Sequence, residues 1–384
     1  MAKLDHHRLA PTVLSDPGIP TLEAVLDPVA MERYLQEVLP DLWEAIENVE
    51  FEVLKHHPGS RCTFETTLHT RSGRRSLIGK VYAADRSELY LALSAIRRAG
   101  FGPEDEFSIP EPIAYIPHLR LLFQEKVEGP RAKQVFLKGD ERDRVEASER
   151  CGRWLARFQT LAPVAGRVSR LEAELDSLED WSLSLAESGR PFADEATRLC
   201  RDLRAAARGI GTVELSAGHG HYGCGHIVLA QGRTVTIDWD TLDVADPCRD
   251  AARFLVELKR LGLKYLGSMR ALDQAADGFL TTYLSLCRPE VRGRLPLFAA
   301  TMCLHQAKKD ISHEADRWSE KAAATLDEGL RLLAQGVVLV ATMCLRLANK
   351  DILDEADRWS EIDLWSEMAA AALDEGLRLL AQWC

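Results

Sequence analysis

No stretch of the 384-residue chain approaches the ~18 consecutive apolar residues that a membrane-spanning helix needs. The N-terminal run Met1-Ala2-Lys3-Leu4-Asp5-His6-His7 lacks the apolar segment of a secretory signal. A soluble, cytoplasmic protein with no membrane partner is expected. Basic residues are outnumbered, 48 Lys and Arg against 59 Asp and Glu, for a net charge of −11. They are also scattered, so no basic stripe follows a phosphate backbone, and nucleic acid is not an expected partner. The nine cysteines are odd in number and irregular in spacing, and several (Cys151, Cys303, Cys344) fall inside apolar helical runs. Reduced, buried thiols are expected rather than a disulfide framework.

What is present is apolar substance: 46% of residues are hydrophobic. Single cores tend to split beyond roughly 250–300 residues, so two lobes sharing a cleft are expected. The pattern divides into a leader at 1–48, a sheet lobe at 49–128, a helical lobe at 129–298 and terminal helices at 299–384. In the leader, Met31 to Ile46 carries apolar residues at three- and four-residue steps, a helical signal. From Val49 the period changes to two. Runs at Phe51–Leu54, Arg61–Thr70 and Arg75–Tyr82 are separated by turns at Pro58-Gly59-Ser60 and Ser72-Gly73, a three-strand antiparallel meander. A helix over Ser87–Ala99 and strands at Ile113–Ile116 and Leu119–Val127 follow. Five strands with one helix between the third and fourth resemble a kinase-type N-terminal lobe, and Gln124–Val127 then reads as the hinge.

Beyond the hinge, helical patterns cover Arg142–Leu161, Ser169–Ser188 and Asp194–Ala207. They give way to a short hairpin, Ile227–Ala230 and Thr234–Asp238, turning at Gln231-Gly232-Arg233. The C-terminus carries a duplication: Ala300-Thr301-Met302-Cys303-Leu304 recurs at 341–345, Glu314–Glu320 at 355–361, and Leu326–Gln335 from Leu373. Two copies are too few for a solenoid. They are read as a duplicated helix pair, with a lid or a homodimer contact as the functional alternative.

The chemistry clusters around the hairpin. The chain reads His219-Gly220-His221-Tyr222-Gly223-Cys224-Gly225-His226, then Ile237-Asp238-Trp239-Asp240, then Asp246-Pro247-Cys248-Arg249-Asp250-Ala251. In order and spacing this resembles the catalytic core of the aminoglycoside phosphotransferases and choline kinases, over roughly residues 45–285. That resemblance implies an α+β, protein-kinase-like two-lobe fold with a five-stranded antiparallel N-lobe and a mainly helical C-lobe. It also implies transfer of phosphoryl from ATP or GTP to a hydroxyl of a small molecule such as an antibiotic, natural product, amino alcohol or sugar, with Mg²⁺ or Mn²⁺. By the same resemblance Asp238 coordinates the metal and Asp250 anchors the catalytic loop. His219 orients that loop, and Asp240 either adds a metal contact or bonds a neighbouring main chain. Lys80, the only Lys of the third strand, resembles the phosphate-binding strand lysine, with Glu88 as its partner. Backbone groups of Gln124, Glu125 and Val127 would meet the nucleotide base, and the turn His57–Arg61 would cover its phosphates.

Two positions depart from the family pattern: His221 stands for the catalytic Asp and His226 for the metal-binding Asn. A neutral imidazole accepts a proton at pH 7, so His221 can serve as base. Imidazole at position 226 suits Mn²⁺ or Zn²⁺ better than hard Mg²⁺. Two other readings stay open. One is a catalytically degenerate, pseudokinase-like ligand-binding protein. The other is a hydrolase using His219, His221, His226 and Asp238 as metal ligands. Acidic residues Glu172, Glu174, Asp176, Glu179 and Asp180 either line a site for a cationic substrate or form a solvated helix face.

Overall fold

The computed structural model describes residues 14–38, 46–187, 192–313 and 319–336. They form two compact units. Unit 1 comprises the chain up to Pro130 together with Leu161–Gly166 and Ile227–Asp240, and unit 2 comprises the remainder. The elements in chain order begin with α1 (Leu22–Val25), α2 (Pro28–Val38), β1 (Ile46–His57), β2 (Arg61–Thr70) and β3 (Gly73–Tyr82). Next come α3 (Ser87–Arg98), β4 (Phe107–Ser108), β5 (Pro112–Ile116) and β6 (Leu121–Glu125). Unit 2 then contributes α4 (Ala132–Lys138), α5 (Glu141–Leu161), β7 (Arg167–Val168), α6 (Leu171–Glu187), α7 (Ala193–Ala207) and β8 (Ser216–Gly218). The hairpin β9 (Ile227–Ala230) and β10 (Arg233–Thr236) returns to unit 1. Finally β11 (Asp243–Ala245), α8 (Cys248–Leu266), α9 (Asp273–Leu286), α10 (Pro289–His313) and α11 (319–336) complete unit 2.

Unit 1 is built on a five-stranded antiparallel sheet in the order β1-β2-β3-β6-β5. Strict alternation makes it two-faced: in β2, Cys62, Phe64, Thr66 and Leu68 are buried while their neighbours are half-exposed. The segment read as a leader packs on that buried face. Ile19, Leu22, Val25, Leu26, Met31 and Leu35 join Phe64, Leu68, Val81 and Phe123 in one apolar cluster. Full burial of such side chains is worth roughly 1.5–3 kcal/mol each. The segment is therefore part of this core and not an appendage.

Several boundaries differ from the sequence reading. Of the expected helix to Ile46, the described part runs to Val38, and Ile46 itself belongs to β1, its side chain buried in the sheet core. Ile46 continued the helical period but also starts the strand alternation, and packing decided between them. The second hairpin strand ends at Thr236, because Asp238 adopts φ 68°, which no strand accommodates. The two-residue β4, too short to carry a pattern, pairs parallel to β10. Of the region 299–384, the described residues 299–313 and 319–336 belong to unit 2.

Unit 2 is mainly helical. Its apolar core joins Leu178 and Leu185 of α6, Leu199 and Leu203 of α7, Leu304 of α10, and Leu326 and Leu330 of α11. The first copy of the duplicated segment is thus structural. The second copy lies outside the described residues. A second, aromatic column stacks Trp154, Tyr222, Phe254, Phe279 and Tyr283 with centroid spacings of 4.2–5.8 Å. The seven described cysteines are unpaired, and all but Cys287 are buried. No helix among the described residues is long and apolar enough to cross a membrane.

Candidate active site

In unit 1 the alternation of β3 places Lys80 and Tyr82 on one face, and the β2–β3 register sets Arg61 opposite Tyr82. The three meet the chain just past β10. Lys80 Nζ, with the residue only 5% exposed, donates to Asp238 Oδ1 at 2.8 Å and Asp240 Oδ2 at 3.1 Å. Arg61 Nε lies 2.9 Å from Asp240 Oδ2, and the Tyr82 hydroxyl donates to Asp240 Oδ1 at 2.8 Å. An Arg86 guanidinium nitrogen donates to the Asp240 carbonyl at 2.8 Å. A buried ammonium needs such partners, because an unpaired one would be strongly disfavoured. Burial first, and then the Asp240 charge, push the Tyr82 phenol well above its ordinary range, so it acts as a donor.

The expected Lys80–Glu88 pair is not made: Glu88 is exposed on α3, and the two aspartates hold the ammonium instead. Asp240 bonds side chains, not a neighbouring main chain. Two cations and a phenol crowd its 8% exposed carboxylate, whereas the Asp238 side chain is 27% exposed. As a donor set for a hard cation, Asp238 fits and Asp240 does not. The left-handed φ of Asp238 is a strained conformation for a non-glycine residue, of a kind that clusters at functional sites.

The turn at Gly59 does not present an open amide. Gly59 N–H donates to Asp16 Oδ2 at 2.8 Å, and His56 Nε2 sits 2.8 Å from the same oxygen. His57, beside it, buries its Nε2 without a hydrogen-bond partner. At the expected hinge, Gln124 and Glu125 are paired in the ladders of β6 with β3 and β5, and Glu125 also receives Arg233 at 3.0 Å. Val127 lies beyond the strand end.

In unit 2 the catalytic-loop motif is held by Asp250, near the start of α8. Its Oδ2 accepts the His219 N–H at 2.6 Å and the Gly220 N–H at 3.4 Å, and its Oδ1 faces the Tyr222 N–H at 3.5 Å. Gly220 has φ 74°, and a Cβ there would lie 2.1 Å from the Thr241 carbonyl oxygen, so only glycine fits. Tyr222 pins the loop to the aromatic column and donates to the Cys151 carbonyl at 2.8 Å.

Contacts fix the tautomers of two of the three histidines, and the two differ. His219 Nδ1 accepts the His221 N–H at 3.2 Å, so the proton of the neutral ring is on Nε2. His226 Nδ1 faces the His221 carbonyl at 2.9 Å and must donate, which leaves the lone pair on Nε2. Burial first, then the positive Arg253, push the His221 imidazole down to about 3, so it is neutral at pH 7 but weakly basic. Its Nε2 is 3.8 Å from Glu257 Oε1, beyond hydrogen-bond reach. With two rings engaged on backbone groups, these histidines do not form a cage, and no group of three or more His, Cys, Asp or Glu side chains among the described residues is arranged to hold a metal ion. That counts against the hydrolase reading.

A cavity of about 220 Å³ within unit 2 adjoins this loop, lined by Gly220, Asp250, Glu174, Trp181 and residues of α8 and α10. Of the five acidic residues singled out on α6, only Glu174 reaches it. Glu172, Asp176, Glu179 and Asp180 are exposed. Sequence reasoning placed Arg61 only in the phosphate-covering turn, not beside Asp240, and gave Tyr82 no role in the site. The i, i+2 relation of Lys80 to Tyr82 was the available signal for one of them.

Residues 64–295 match the model of the phosphotransferase enzyme family, and the chain belongs to that family. Solved structures similar in fold include a choline/ethanolamine kinase family protein from Mesorhizobium loti, at 15% identity and TM-score 0.50, with coverage of 79% of this chain and 93% of that one. A thermostable mutant of aminoglycoside phosphotransferase APH(4)-Ia aligns at 12% identity and TM-score 0.51, covering 79% and 99%. A choline kinase from Cryptosporidium parvum aligns at 12% and 0.50, covering 79% and 94%. At such identities the likeness is one of fold. No curated protein matches the chain.

Proposed function

We propose that the protein transfers the terminal phosphoryl group of ATP or GTP to a hydroxyl of a small molecule. The observation that carries this reading is the buried Lys80 ammonium held 2.8 Å from Asp238, a cation and a carboxylate on adjoining strand ends. Phosphoryl transfer asks for clamped phosphates and neutralised charge more than for covalent help. Lys80 would bind phosphate oxygens once nucleotide competes for it, and Asp238 and His226 are the residues that would serve as ligands of a divalent metal, whose chemistry would be to offset phosphate charge. Asp240, fixed by Arg61 and Tyr82, positions Lys80. Val127 and the adjoining hinge backbone would meet the base.

In the transfer the acceptor oxygen forms a bond to the terminal phosphorus, the bond to the bridging oxygen breaks, and the nucleoside diphosphate leaves. The acceptor proton passes to the neutral His221 imidazole. So weak a base fits a loose transition state in which the proton moves late.

That same low basicity favours a second reading, a nucleotide-binding protein that has lost turnover. Thermal unfolding with AMP-PNP and either Mg²⁺ or Mn²⁺ tests binding. The expected result is a nucleotide-dependent rise in Tm, larger with Mn²⁺, and no rise with either metal contradicts both readings. Nucleotide consumption by wild type and His221→Asp then separates them: turnover by wild type supports the enzyme, while binding without turnover in both supports the degenerate protein.

A further inference from the structure

The cavity beside the catalytic loop has walls of unequal character. On one side the Trp181 and His305 rings stack at a 4.6 Å centroid distance and 22°, next to Phe298 and the Met302 thioether. Such a surface favours a flat ring through dispersion and ring–ring contact. On the same helix, one turn from both Phe298 and His305, Thr301 is 3% exposed and its hydroxyl has no hydrogen-bond partner. A helical threonine ordinarily bonds a carbonyl one turn back, so a buried hydroxyl without a partner on the wall of a cavity is a place for a ligand's polar atom. Arg253, 8% exposed, also lines the cavity. Its Nε lies 3.1 Å from Glu257 without the alignment of a hydrogen bond.

The charges facing this space do not suit a polycation. Arg249 and Arg253 both line it, with Arg249 paired to Asp243 at 2.5 Å. Of the two lining carboxylates, Asp250 is engaged by backbone N–H groups of the loop. Glu174 is pushed up to about 7, by burial first and then by Asp246, Asp243 and Asp250 against the opposing Arg249. His305 is driven down to about 4 by burial, Lys309 and Arg253, so it adds no charge near pH 7. Glu174 is thus the one lining carboxylate not held by the loop backbone, and it shares the cavity with two guanidinium groups, an arrangement that disfavours a polycation.

We propose that this cavity binds the acceptor and that the acceptor is a flat, uncharged or anionic hydroxylated ring compound, not a polyamine sugar. What the compound is bound for rests on the phosphotransferase reading; its chemical class rests on the cavity. The probe is 2,7-dihydroxynaphthalene, compared with kanamycin, by titration calorimetry on the full chain near neutral pH and without nucleotide. The diol binds at one site, and kanamycin binds at least about tenfold more weakly. Thr301→Val and Trp181→Leu each weaken the diol about fivefold, the loss of roughly one net hydrogen bond or ring contact, while Thr301→Ser retains it. Tighter binding of kanamycin, or diol binding that is absent or indifferent to both substitutions, overturns the proposal. A subsequent assay with ATP and Mn²⁺ separates the two claims. A diol that binds through Thr301, with phosphate transferred to neither compound, sinks the phosphotransferase reading alone, whereas phosphorylated kanamycin with no diol binding sinks this one alone.

Discussion

Glu174 lies close enough to Asp243, Asp246 and Asp250 for their charges to add to its burial, which sets its affinity for a proton. Its folded value, about 7, is above the ordinary 4.5, so the folded state keeps the proton longer than the unfolded chain does. The sign follows: the group costs nothing below pH 4.5 and increasingly destabilises the fold as pH rises through 7. Glu174→Gln should therefore gain roughly 1–3 kcal/mol at pH 8 and almost nothing at pH 4.5. Denaturant titrations at the two pH values check this, and an equal effect at both contradicts it. His221 and His305 act in the opposite sense. Their depressed values mean that the unfolded chain takes up protons first, so the fold weakens as pH falls below 6.5. Neither effect was legible in the sequence, because each arises from neighbours far apart in the chain. The company of Lys80 was misjudged for the same reason. Glu88 is near in sequence, while Asp238 and Asp240 come from a hairpin some 158 residues on.

At the scale of elements, the catalytic loop is held from three sides: by the Asp250 carboxylate, by the Tyr222 ring, and by Thr241, whose hydroxyl donates to the His219 carbonyl at 3.0 Å. Gly220→Ala drives a methyl into the Thr241 carbonyl at a left-handed φ. It should cost about 2–4 kcal/mol, read as a lower denaturation midpoint. Retention of wild-type stability would show that the loop gives way more easily than its contacts suggest. The strands with clean alternation, β2 above all, were readable from the sequence because one face is buried. The start of β1 was not, since Ile46 satisfies both periods and packing in the sheet core assigns it to the strand. Nor was the backbone of Asp238: it continues the β-branched run Val235, Thr236, Ile237, and nothing in that run announces a positive φ.

For the whole molecule, the spacing of the loop, hairpin and Asp250 segments was enough to place the chain among phosphotransferases, because that spacing reflects how a strand pair and a helix start must be connected. His221 and His226, at the positions read as the catalytic Asp and the metal-binding Asn of the family pattern, make turnover the property to measure. The cavity that would decide the acceptor is assembled from α6, α8 and α10, whose residues share no local pattern. The most direct test is transfer from nucleotide labelled at the terminal phosphate, with Mn²⁺ and a panel of hydroxyl acceptors, by wild type and Asp238→Asn. The expected result is label on an acceptor with wild type and a loss of at least about 100-fold in the variant. Equal transfer by both, or none by wild type while nucleotide still binds, would contradict the account.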